Sequence, residues 1–152
     1  VKRLFVGPNG RVKDPSKYSE DAVFERSSAF FDLLSSTRPE LVEASTASEL
    51  DELRGRSILL SSTTLRVLAG AFWQAEARAD SQGHQVRPEL LSRALKDVDF
   101  RPTSEVWIRC GFVSPGKSTP NARNQEVQAA TDALTDLLTV DQSGSKTEEQ
   151  PS

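Results

Sequence analysis

The sequence predicts a mainly α fold, a single domain of about five helices at 19–140, with an extended basic arm over 1–18 and a disordered tail over 141–152. Three observations carry that reading. Apolar residues recur at the i, i+3, i+4 spacing of an amphipathic helix in three long segments, 23–34, 65–73 and 127–138. The chain lacks the alternation of strands and helices that an α/β sheet requires. Its 152 residues, 36% hydrophobic and 27% charged, have the composition of one ordinary globular domain, long enough to enclose a core.

The opening, VKRLFVGPNGRVKDPSKYSED, runs directly into the apolar residues Leu4, Phe5 and Val6 and then turns at Gly7-Pro8-Asn9-Gly10. Ser19 is the N-cap candidate for the first helix, with Glu20 and Asp21 in its first turn, where negative charge suits the helix dipole. Val23, Phe24, Ser27, Phe30, Phe31 and Leu34 form its stripe, and Phe30-Phe31 reads as core. Pro39 ends it, because a residue preceding proline avoids helical backbone. A helical turn over 39–44 follows, then a short helix capped by Thr46 or Ser48, with Leu50 and Leu53 inward and a stop at Gly55.

Ile58-Leu59-Leu60 reads as a brief buried connection, strand-like or extended. Ser61 or Ser62 then caps the central helix, which runs to about Ala79, with Leu65, Leu68, Ala69, Phe72 and Trp73 on its apolar face. The loop 80–85 reverses at Gly83, and Pro88 suits the first position of the next helix. A helical turn follows Ser104, residues 114–121 are loop, and a last helix spans about 122–139. The segment DQSGSKTEEQPS is too polar to pack.

Net charge is −3, and it is unevenly distributed. Residues 1–17 carry five basic groups against Asp14, and residues 101–124 carry four against Glu105, whereas 18–100 hold fourteen acidic and nine basic groups. Two cationic segments on an acidic body suit a phosphate backbone, since Lys and Arg release its condensed counterions. The candidate nucleic-acid contacts are Lys2, Arg3, Arg11, Lys13, Lys17, Arg109, Lys117 and Arg123. The plain alternative is two solvated loops that lack carboxylates.

Other chemistry has little footing. The one histidine, His84, and the one cysteine, Cys110, are 26 positions apart, and neither sits in a metal-ligand spacing. A lone cysteine also excludes an internal disulfide. No run approaches the roughly 18 apolar residues of a membrane span. GFVSPGKS, residues 111–118, fits the bare phosphate-loop pattern, but Pro115 removes an N–H where one is needed and Pro120 delays the following helix. A helix-turn-helix over 47–70 would present Thr63, Thr64 and Arg66, across a connection of about seven residues where that motif uses three or four. The expectation is a cytoplasmic protein that is not an enzyme and holds no cofactor and no metal.

In succession the elements resemble the C-terminal half of DndB-like proteins, the DGQHR-type proteins encoded with DNA phosphorothioation (sulfur modification) systems. Leu4, Phe5, Asn9, Pro15 and Ser16 match the segment that follows the DGQHR region in that family. Arg56, Ser57, Leu60, Ser62 and Leu65 match its Arg-Ser, Leu, Ser-x-x-Leu helix, and Trp107 precedes a closing helix. The likeness covers residues 3–139. Gly7 departs from an acidic position of the family, and no DGQHR is present. The resemblance implies that Val1 lies within a longer frame or begins a truncated one. It further implies DNA-associated transcription regulation, including repression of modification genes, with DNA as partner and no catalytic residue on this half. The rival expectation is a helical protein-interaction module, paired with another protein or with itself through Phe30-Phe31 and Phe72-Trp73.

Overall fold

The computed structural model describes residues 19–143, and every regular element among them is helical. Helix α1 spans Glu20–Thr37, with the Ser19 hydroxyl accepting from the amide of Ala22 at 3.2 Å and Glu20 and Asp21 in its first turn. It ends before Pro39, and α2, Glu40–Glu43, is a single turn beyond that proline. Helix α3, Ala47–Arg56, opens with a capping box: Thr46 accepts from the Glu49 amide while the Glu49 carboxylate accepts from the Thr46 amide. Gly55 does not stop this helix, which continues through Arg56.

A 3-10 turn, Ile58–Leu60, connects to α4, Ser62–Ser81, capped by Ser61. Gly83 takes a positive φ of 78° at the reversal after α4, a conformation that side chains with a Cβ rarely adopt. Helices α5 (Pro88–Asp97), α6 (Glu105–Arg109) and α7 (Asn124–Ser143) follow, with Pro88 in the first turn of α5. Five of the seven α-helices have ten residues or more, while α2 and α6 are single turns.

Helix α4 lies along α7, α7 also packs on α5, and α1 rests against α5. Residues 67–72 of α4 are buried on every side, so this helix is the axis of the core. Phe30 joins α1 to it, edge-on to Phe72 with ring centroids 5.0 Å apart. A second aromatic group seals the far end. Trp107 is fully buried, stacks on Phe100 at 5.8 Å, meets Phe112 edge-on at 5.9 Å, and donates its indole N–H to the Asp99 carbonyl at 2.6 Å. Buried indoles normally find such a partner, because an orphaned N–H inside the core is costly. Arg38, just past α1, lies 5.0 Å over the Phe100 ring and donates to the carbonyls of Lys96 and Val98.

Besides the stop at Gly55, three expectations change. Ile58-Leu59-Leu60 is buried at Ile58 and Leu59, but as a 3-10 turn rather than an extended segment. The α1 stripe is wider than its neighbours cover. Phe30, Leu34 and Thr37 are buried, while Phe24 and Phe31 are 72% and 44% exposed. Consecutive helical residues point about 100° apart, so Phe30 and Phe31 cannot both face one neighbour. The final helix runs to Ser143, three residues into the segment expected to be a disordered tail from 141. A composition too polar for packing does not prevent continuation of an existing hydrogen-bonded helix. The arm at 1–18 and residues 144–152 lie outside the described residues.

Candidate nucleic-acid interface

Of the eight candidate cations, Lys2, Arg3, Arg11, Lys13 and Lys17 lie outside the described residues. The structure places the other three around one loop. Arg109 sits in the last turn of α6, Lys117 in the loop that follows, and Arg123 immediately before α7. Asn121 closes that loop. Its amide N–H donates to the Phe112 carbonyl at 2.7 Å, and its side-chain Nδ2 donates to the Gly111 carbonyl at 2.7 Å. The stretches on either side of the loop are thereby held together, with Arg109 and Arg123 on adjoining strands of chain. At the tip, the Lys117 amide donates to the Ser114 carbonyl, and Gly116 takes a φ of 79° in the turn.

Electrostatically the cluster is weaker than its sequence charge. Arg109 pairs with Glu105 at 3.2 Å at the exposed surface, and Arg123 pairs with Glu126 at 3.8 Å, where the Arg123 side chain is exposed and that of Glu126 is largely covered. Arg101 is drawn to Asp99 at 2.8 Å. Two of those carboxylates, Asp99 and Glu126, lie just outside the segment 101–124 whose surplus of positive charge suggested a patch. The Arg101 guanidinium holds the Asp99 carboxyl below the usual carboxylate range, and Asp99 in turn raises the Arg101 guanidinium. The pair exposed on both sides, Arg109–Glu105, is individually weak. Lys117 has no carboxylate within ion-pair distance among the described residues.

Arg56 is a cation the sequence reading left out. It ends α3, and the amide of Ile58 donates to the Phe100 carbonyl at 2.8 Å, which brings the end of α3 beside the segment carrying Arg101. The basic RGR at that helix end was the available signal; the long-range hydrogen bond was not visible.

The structure decides against the two sequence motifs. Thr64, which a helix-turn-helix would present to a groove, is fully buried, and α4 is enclosed by the core along 67–72. In GFVSPGKS, a helix, α6, precedes the loop, and α7 starts only at Asn124, six residues after Ser118. Phe112 and Val113 are fully buried, so the loop closes on the core instead of curling around an open anion site. His84 has its ring nitrogens at Gln82 Oε1 and the Gln85 carbonyl, and the Cys110 thiol faces the Trp107 carbonyl. The two are not brought together.

No group of three or more His, Cys, Asp or Glu side chains converges among the described residues. An open groove of about 350 Å³ between α4 and α7 is lined by Trp73, Gln74, Ala77, Arg78, Ser81 and Asp132. Its polar groups engage the helices themselves: Gln74 with Asp132 and Thr135, and Arg78 with Asp136. No helix among the described residues is long and apolar enough to cross a membrane. No protein family, curated protein or solved structure matches the chain.

Proposed function

We propose that this protein is a DNA-associated regulator, a transcriptional repressor linked to a DNA sulfur-modification or defence system and acting in the cytoplasm. The observation that carries the reading is the segregation of charge, with five basic residues in 1–17 and a second basic segment whose Arg109, Lys117 and Arg123 border one closed loop. The resemblance to DndB-like proteins supports the same reading. Contacts of this type read phosphate and carry no base specificity by themselves.

Titration of a labelled duplex at several salt concentrations tests it. Affinity falls as salt rises, with a slope of about −0.9 per phosphate neutralised, so Arg109→Ala, Lys117→Ala and Arg123→Ala combined flatten the slope by about 2 to 3. Absence of binding at low salt, or binding indifferent to salt, removes the proposal. The exposed Phe24 and Phe31 favour a second reading, a helical protein-interaction module without nucleic-acid binding. Light scattering that gives a strict monomer, together with no binding of an apolar dye, counts against that alternative.

A further inference from the structure

The outer face of α1 combines two features, an exposed aromatic pair and carboxylates without an ion pair among the described residues. Phe24 and Phe31, seven residues apart, fall on one line of the helix surface at 72% and 44% exposure, with Ser28 between them. Phe31 is held in place by an edge-to-face contact with Phe30 at 5.2 Å. Asp21, Glu25 and Asp32 flank this apolar line on its solvent side, and Glu20 precedes it; all four are exposed and have no ion pair among the described residues. The one basic residue of α1, Arg26, points away and pairs with Glu76 of α4. The result is an aromatic ridge edged by unbalanced negative charge.

We propose that this ridge is the docking site for residues 2–17 of the same chain. That segment has the complementary chemistry: Lys2, Arg3, Arg11, Lys13 and Lys17 against a single Asp14, with Leu4, Phe5, Val6 and Val12 as apolar anchors. It joins α1 directly at Ser19. Some 14 residues separate Phe5 from Ser19, an extended reach of roughly 45 Å, against roughly 17 Å along α1 from Glu20 to Phe31. The tether also confers a millimolar-range effective concentration that an outside ligand must exceed. A second copy is the poorer occupant, because pairing two α1 faces would set four unpaired carboxylates against four more. Docking and phosphate binding draw on the same five cations, so the acidic ridge competes with nucleic acid for the arm, as a built-in brake. The docking itself involves no nucleic acid and stands or falls separately from the proposed function.

The experiment uses the full chain with Cys110→Ala and a nitroxide attached at Lys2→Cys, read by paramagnetic broadening of amide signals. The expected result is loss of intensity over residues 21–32 of α1, recovered in Phe24→Ser/Phe31→Ser and diminished by salt. Charge reversal at Glu25→Lys/Asp32→Lys gives the same recovery without touching an aromatic residue, should the double serine variant fold poorly. Unbroadened α1 signals in the labelled wild-type background overturn the proposal. So does broadening that appears only between labelled and unlabelled molecules in a mixed sample, since that places the arm on a neighbouring copy.

Discussion

Trp107→Phe tests the view that one end of the fold is pinned by a single indole. Trp107 has no exposed surface, packs between Phe100 and Phe112, and its N–H reaches the Asp99 carbonyl at 2.6 Å. Phenylalanine removes roughly three heavy atoms from this site, which at about 0.8 kcal/mol per methylene-sized unit costs about 2 kcal/mol. Loss of the hydrogen bond adds about 1 kcal/mol, because the Asp99 carbonyl loses its indole partner. The sum is about 3 kcal/mol, which for a chain of this length lowers Tm by about 10 °C. Urea denaturation followed by far-UV circular dichroism measures it, with an unchanged m-value showing that the same cooperative unit unfolds. A loss below about 1 kcal/mol at constant m would refute the reasoning, since the indole would then be neither a packing nor a hydrogen-bonding anchor.

Two glycines predict opposite signs for the same substitution. Gly55 lies within α3 with nothing within 4 Å of an added Cβ, so Gly55→Ala stabilises by about 0.5–1 kcal/mol through reduced entropy of the unfolded chain. Gly83 has open space as well but a φ of +78°, so Gly83→Ala destabilises by about 1 kcal/mol. Urea midpoints moving in the same direction for both contradict the assigned backbone. Asp99→Asn reports on acid stability. The hydrogen bond from the Arg101 side chain lowers the Asp99 pKa in the folded state, so its contribution is present above the ordinary carboxyl range. That contribution is lost as pH falls through the lowered folded value. Wild type and Asp99→Asn therefore converge in urea midpoint at low pH and separate at neutral pH; a constant offset across that range contradicts the linkage.

Much of the helical layout was legible because its signals are local. Ser19, Ser61 and Pro88 act within one turn of the residues they organise, and each starts the helix that its residue type suggested. Where two caps competed, the hydrogen bond decided: Thr46 and not Ser48 opens α3, because Glu49 completes a reciprocal pair with it. Less of the candidate site was legible. The run of like charge from 101 to 124 read as a positive segment, yet folding sets Asp99 and Glu126 beside its arginines. The closure of the loop by Asn121 and the approach of Arg56 to the Arg101 segment depend on hydrogen bonds between residues far apart in sequence, such as Ile58 to Phe100.

The amino-acid order by itself determined that this chain is helical and where most helices begin, since backbone capping and apolar spacing are decided within a few residues. Only the tertiary structure decided which side of each stripe is covered. Phe30 and Phe31 are chemically identical neighbours, and the one is buried against Phe72 while the other faces outward. The reason is geometric: a helix turns about 100° per residue, and burial depends on where another helix lies, which no local pattern encodes.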